Sequence, residues 1–218
     1  WGRLTLWRQL VAQFFDGPEY LPFLDGIELV EIEHAVAPQA GASQARGDKT
    51  APRPTAALLL EDLGETAPNP NAALLLAGWL KSSLDLTLVP DSEKNLRESA
   101  GGSYQWLLDL PSGDRQALLQ IRPREHADLL LGSIYLVRLT CAIENRRVIF
   151  TIKRDPDYTH VQTSVESVET TRPIRTVNLP DRQKESELLH NELEITVHDQ
   201  FFEQALHELE QFLGGVPK

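Results

Sequence analysis

Hydrophobic positions recur with a helical period at both ends of this chain and with a period of two through its middle. Leu4, Trp7, Leu10, Val11, Phe14 and Phe15 fall on one face of a helix that Gly17-Pro18 would stop, with Thr5 placed to cap it. Asn71 is placed to cap a second helix, and Leu74, Leu75, Leu76, Trp79, Leu80 and Leu84 make that helix apolar around much of its girth. Ser186 to Glu194 reads as a further helix. The last one carries Phe201, Phe202, Ala205, Leu206, Leu209, Phe212 and Leu213, and Gly214-Gly215 closes it.

Between these lie strands. Ile27 to Glu33 alternates but slips phase between Leu29 and Val30, which requires a bulge or a change of face. Tyr104, Trp106, Leu108 and Leu110 alternate up to a Pro111-Ser112-Gly113-Asp114 turn, and Leu119 with Ile121 continues on the returning strand. The strongest strand signal puts Tyr135, Val137, Leu139, Cys141 and Ile143 on one face, with Ile134 and Leu136 on the other. A reversal at Glu144-Asn145-Arg146-Arg147 leads into Val148, Phe150 and Ile152. Further strands follow at Val161, Thr163 and Val165, and at Val177 and Leu179. Grouped strands with helices at either end predict an α+β fold, an antiparallel meander flanked by N-terminal and C-terminal helices.

The stretch Ala37 to Thr55 has too little large apolar surface to offset the entropy of ordering it, and reads as a flexible insertion at 37–55 within a single domain spanning 1–218. The chain contains no methionine and opens inside an amphipathic segment, which is expected of the C-terminal part of a longer protein.

Charge narrows the function classes. A net charge of −11 makes the overall field repulsive to phosphate backbones and anionic membrane surfaces, so neither nucleic acid nor membrane is the expected partner. A single cysteine, Cys141, can form no disulfide within the chain, which suits a reducing compartment, the cytoplasm. The sequence holds no P-loop, dinucleotide fingerprint or nucleophile elbow, and Glu187 with His190 and Glu203 with His207 read as solvated helix faces, not metal ligands. We expect no enzyme activity, cofactor or metal.

Two features invite a binding role. Arg146, Arg147, Lys153, Arg154, Arg172 and Arg175 put cations on neighbouring strands, where they read first as scattered surface charges and second as a patch gathered for a carboxylate or phosphate. Cys141, on a strand among apolar neighbours, reads as a small buried hydrophobe ahead of a reactive thiol.

Three segments carry a family resemblance. Trp1-Gly-Arg-Leu-Thr-Leu-Trp-Arg8 is similar to an Arg-Leu-Thr-Pro-Trp-Arg stretch, with Leu6 in place of the proline, and Ala73-Leu-Leu-Leu-Ala-Gly-Trp-Leu80 is similar to a Leu-Leu-Ala-Ala-Trp-Leu helix. Arg175-Thr-Val-Asn-Leu-Pro-Asp-Arg182, Glu187-Leu-Leu-His-Asn-Glu-Leu193 and Phe202-Glu-Gln-Ala-Leu206 follow in the matching order. In these the chain resembles the C-terminal region of the bacterial OpcA family of glucose-6-phosphate dehydrogenase assembly proteins.

The resemblance implies a non-catalytic assembly factor or allosteric activator of glucose-6-phosphate dehydrogenase, in the oxidative pentose phosphate pathway. It also implies thioredoxin as a further partner, which would give Cys141 a redox role. Such a factor would work by preferring one conformation of the enzyme, through exposed aromatic and arginine side chains, for which Trp7, Arg8, Arg146, Arg147 and Arg154 are the candidates. The alternative is a metabolite-sensing regulatory domain whose cationic patch takes a sugar phosphate or another anion.

Overall fold

The computed structural model describes residues 1–38, 69–90, 92, 103–157, 159–167, 171–178 and 199–213, with only the backbone at 171–174. The architecture is α+β: helices pack on one face of a mixed, mostly antiparallel sheet, which among the described residues has eight strands.

A 3-10 turn at Gly2–Leu4 runs directly into α1, Thr5–Phe14, so Leu4 and not Thr5 stands at the helix start and no side chain caps it. The hydroxyl of Thr5 instead accepts a hydrogen bond from Arg8 Nη2 at 3.2 Å. Trp7, Leu10, Val11 and Phe14 are buried, as their helical spacing requires. The second helix, α2, spans Asn71–Ser83, and its expected cap is also displaced: Asn69 Oδ1, not Asn71, accepts the amide of Asn71, at 3.2 Å. The last helix, α3, spans Gln200–Phe212 and is capped by Asp199, which accepts from the amides of Phe201 and Phe202. The helix expected at 186–194, the Gly214-Gly215 stop and all but the first two residues of the 37–55 insertion lie outside the described residues.

The strands are β1 Ile27–Val36, β2 Thr87–Leu88, β3 Tyr104–Asp109, β4 Gln116–Glu125, β5 Ile134–Ile143, β6 Arg146–Arg154, β7 His160–Ser167 and β8 Thr171–Asn178. Their order across the sheet is β2-β3-β4-β1-β5-β6-β7-β8. From β5 to β8 the expected antiparallel meander is present. It is interrupted at β1, which inserts between β4 and β5 and pairs in parallel with β4. The pairing of β1 with β5 shifts register between Ile27 and Leu29, close to the phase slip in the sequence.

Period-two alternation sorts each strand into two faces. Trp106, Leu119, Ile121, Val30, Ile32, Val137, Leu139, Phe150 and Ile152 form the core against the helices. Phe150 lies at its centre, with the rings of Phe14, Phe15 and Tyr20 at 5.2, 4.9 and 5.4 Å between centroids. At the other end of the sheet the Trp106 ring packs at a tilt against Phe212 of α3, 4.6 Å between centroids, and donates its indole N–H to the Phe212 carbonyl. Helix α3 is held on α2 by a tight backbone crossing at Gly78 and by an ion pair of Lys81 with Glu208.

Candidate functional site

The opposite face of the sheet is polar and ordered. Strand register places three rows of side chains across it. The middle row runs Gln105, Gln120, Glu31, Arg138, Thr151, Ser164, with one residue from each of β3, β4, β1, β5, β6 and β7. On one side of it lies a more apolar row, Leu107, Leu118, Leu29, Thr140, Ile149, Glu166. On the other side are Arg122, Glu33, Leu136, Lys153 and Gln162.

Much of this polarity is satisfied within the face. Glu31 accepts from Arg138 at 3.2 Å and sits 3.5 Å from Arg122, with its own side chain only 15% exposed. Gln120 donates to Gln105 Oε1 at 2.8 Å and accepts from Arg122 at 2.5 Å. Gln162 donates to Asp155 at 2.7 Å. The strand twist leaves a shallow concavity of about 400 Å³ over the middle of the face, floored by Arg138, Thr140, Thr151 and Ser164. Across the three rows, Glu31, Glu33 and Glu166 balance Arg122, Arg138 and Lys153. These three rows are therefore neutral in a chain of net charge −11.

The cations singled out in the sequence do not form one patch. Arg146 and Arg147 sit at one end of β6, where Arg146 lies over the ring of Phe23 and Arg147 pairs with Glu28 at 3.2 Å. Lys153 is at the other end of β6, on the polar face and 5.7 Å from the Tyr135 ring centroid. Arg154, the next residue, points to the helix side because neighbours on a strand alternate. It is 3% exposed and donates from Nε to the Ile134 carbonyl at 2.6 Å. Arg175 is exposed on β8, and the side chain of Arg172 lies outside the described residues.

Two proposed contact residues are corrected by burial. Trp7, at 2% exposure, is a core side chain, and Arg154 is likewise enclosed, so neither can serve as an exposed anchor. Arg8 is half-buried, its guanidinium 3.8 Å from the centroid of the Trp1 ring. The indole N–H of Trp1 in turn donates to Asp199 at the start of α3. Arg8 thus helps join the beginning of the chain to its last helix.

Cys141 is fully buried on the core side of β5, as its apolar surroundings implied. Burial, with a smaller contribution from Glu28, pushes its thiol up to about 12, the wrong direction for thiolate chemistry. Glu203 and His207 are exposed on α3, and no group of metal-ligating side chains occurs among the described residues. No described helix is long and apolar enough to cross a membrane. The polar row itself was missed in the sequence, although Glu31 and Arg138, charged positions inside strand patterns, were the available signal.

No protein-family model matches the chain, and no curated protein matches it. Among solved structures it is similar in fold to a 3-ketoreductase from Actinomadura kijaniata in complex with NADP and TDP-benzene, at 11% identity and a TM-score of 0.48, over 94% of this chain and 56% of that one. It is also similar to a UDP-N-acetylglucosamine 3-dehydrogenase from Acidithiobacillus ferrooxidans, at 10% identity and a TM-score of 0.36, over 94% of this chain and 58% of that one. The chain therefore spans a little over half the length of these proteins.

Proposed function

We propose that this chain is a non-catalytic protein-binding domain that acts in the cytoplasm on glucose-6-phosphate dehydrogenase, as an assembly factor or allosteric activator, and that it docks through the polar face of its sheet. The enzyme partner comes from the three OpcA-like segments. The surface comes from one observation, the row from Gln105 to Ser164 with its internal pairing.

Burying a charged side chain under a partner is costly when its hydrogen-bonding groups lose water without replacement. Here Glu31, Arg138, Arg122, Gln120 and Gln105 already bond one another, so a covering surface displaces less essential water. The apolar row beside them, with Leu118, Leu29 and Ile149, supplies area whose burial is favourable. A small ligand would be served less well, because the polar groups it would need are occupied by neighbours. Mixed charge also matters: in a chain of net charge −11, a face that carries both signs can pair in register with complementary charges on a partner. Activation then follows if the docked face fits one conformation of the enzyme better than another.

The test is co-purification of the chain with the cognate dehydrogenase, followed by an activity assay. Ser164→Arg places a bulky cation in the middle of the face and should abolish both binding and activation, while Arg175→Ser on the edge strand should leave them intact. A dehydrogenase that ignores the wild-type chain, or binds Ser164→Arg equally well, would refute the reading.

A further inference from the structure

The three rows on the polar face are neutral together but not one by one. In the row from Leu107 to Glu166 the charge is that of Glu166. In the row from Gln105 to Ser164, Glu31 and Arg138 cancel, and in the third row Arg122 and Lys153 outnumber Glu33. The rows are thus graded −1, 0 and +1 from one side of the shallow concavity to the other. Past them the face carries opposite signs together: Arg147 pairs with Glu28 beyond the acidic row, and alternation puts Arg124 of β4 and Asp155, which follows β6, beyond the basic one.

The grading has a definite length. Strand β6 lines the concavity with every second residue, Ile149, Thr151 and Lys153, and pairing sets Glu166 of β7 beside Ile149. Lys153 and Glu166 therefore stand at opposite ends of the hollow, about 13 Å apart along the strand at about 3.3 Å per residue. That exceeds the screening length of about 8 Å at physiological ionic strength, so these two exposed charges do not neutralise each other. The Lys153 ammonium lies 5.7 Å from the centroid of the Tyr135 ring, a contact that favours the cation at this end.

Between the ends lie the hydroxyls of Thr140, Thr151 and Ser164. A hydroxyl both donates and accepts, so this floor takes either sign of partner group, and the choice is left to the ends. A surface that docks the right way round sets opposite charges on both, whereas the same surface turned end for end sets like charges on both and is rejected.

We propose that the graded face fixes the orientation of the docked enzyme. The segment of glucose-6-phosphate dehydrogenase that covers the concavity carries an acidic side chain for Lys153, a basic side chain for Glu166 about 13 Å away, and small uncharged side chains between them. This rests on the docking reading above and adds the chemistry of the matching surface. A second copy of this chain, turned about the line of hydroxyls, would also bring Lys153 to Glu166, and the test parts the two.

The experiment measures the affinity of the full chain for the cognate dehydrogenase by biolayer interferometry at fixed ionic strength, with circular dichroism melts of every variant to check the fold. Lys153→Glu and Glu166→Lys should each weaken binding by about tenfold, and Lys153→Gln and Glu166→Gln by less. The double variant Lys153→Glu/Glu166→Lys has the net charge of the wild type but the reverse grading, and it should bind no better than either single reversal.

Recovery of wild-type affinity in the double variant would overturn the proposal, because net charge alone would then govern docking. Equal affinity of wild type and both single reversals would overturn it too, while leaving the docking reading in place. A dehydrogenase that ignores the wild-type chain would remove both readings. Sedimentation of the chain alone supplies the last arm: self-association lost in each single reversal and regained in the double variant would make the occupant a second copy and overturn the proposal.

Discussion

Gly78 of α2 faces the backbone of Ala205 in α3 so closely that a Cβ on Gly78 would lie 2.4 Å from the Ala205 carbonyl oxygen. Because the obstacle is backbone, no rotamer change relieves it. Gly78→Ala must push the helices apart, and the gain in helix propensity does not compensate. It is expected to cost about 2 kcal/mol, read as a lower urea midpoint. Trimming the opposite side chain with Ala205→Gly should not rescue it.

The same interface buries Lys81, 5% exposed, which bonds Glu208 and, at 3.2 Å, Gln211. Removing one partner strands the other with reduced solvation. Lys81→Met alone and Glu208→Leu alone should each destabilise by roughly 2 kcal/mol, a figure lowered because Glu208 keeps some access to water. The double variant Lys81→Met/Glu208→Leu should recover most of the loss, and denaturant melts of all four proteins check this cycle.

Phe150 gathers three rings from α1 and the segment after it. Phe150→Ala should cost about 4 kcal/mol through lost burial and the cavity left behind. Phe150→Leu should cost less than half of that in the same denaturant series.

Cys141 should be silent to thiol reagents in the native state at pH 8 and react only as fast as the chain opens, a rate that rises with urea. Its pKa is raised in the fold, so its contribution favours folding below the unfolded value of about 9 and is lost as pH climbs toward about 12. Cys141→Ala should therefore flatten the alkaline limb of a stability-against-pH curve, while Cys141→Ser should not be tolerated as well in so apolar a site.

Asp157 lies in the turn between β6 and β7, where the Thr159 amide donates to it at 2.9 Å and His160 Nδ1 lies at 2.6 Å. These bonds, led by that from the Thr159 amide, hold its carboxyl down to about 2. A lowered pKa means the turn keeps its ties above the ordinary carboxylate range and loses them as pH falls through about 2. Carboxyl NMR of Asp157 should show that midpoint, and a value near 4 would contradict the geometry.

The hydrophobic pattern contained most of this architecture. Apolar spacing located α1, α2 and α3, and alternation gave the correct inward set on β5, from Val137 through Cys141. What it could not supply was the neighbour of each strand. Nothing local to Ile27–Val36 says that it will lie beside Gln116–Glu125 in the same direction, since that choice is made by the whole core.

The described cations scatter, as the first reading had it, for a reason that was legible. Lys153 and Arg154 are consecutive on a strand, so period two sends them to opposite faces, and the same rule parts Arg146 from Arg147. The cap assignments at Thr5 and Asn71 missed by the one or two residues that separate a helix boundary from its best-looking side chain. The Gln105-to-Ser164 row needed register across six strands, which no single segment encodes.

Strand β1 is made early in the chain yet flanked by partners that come much later, β4 on one side and β5 on the other. On a ribosome, residues 27–36 must therefore wait with both edges bare until residues 116–143 have emerged. Helix α1 has the same delay, because its aromatic contact Phe150 is later still. The chain should thus collapse as one late event, and a truncation ending before β5 should have no folded sheet to show.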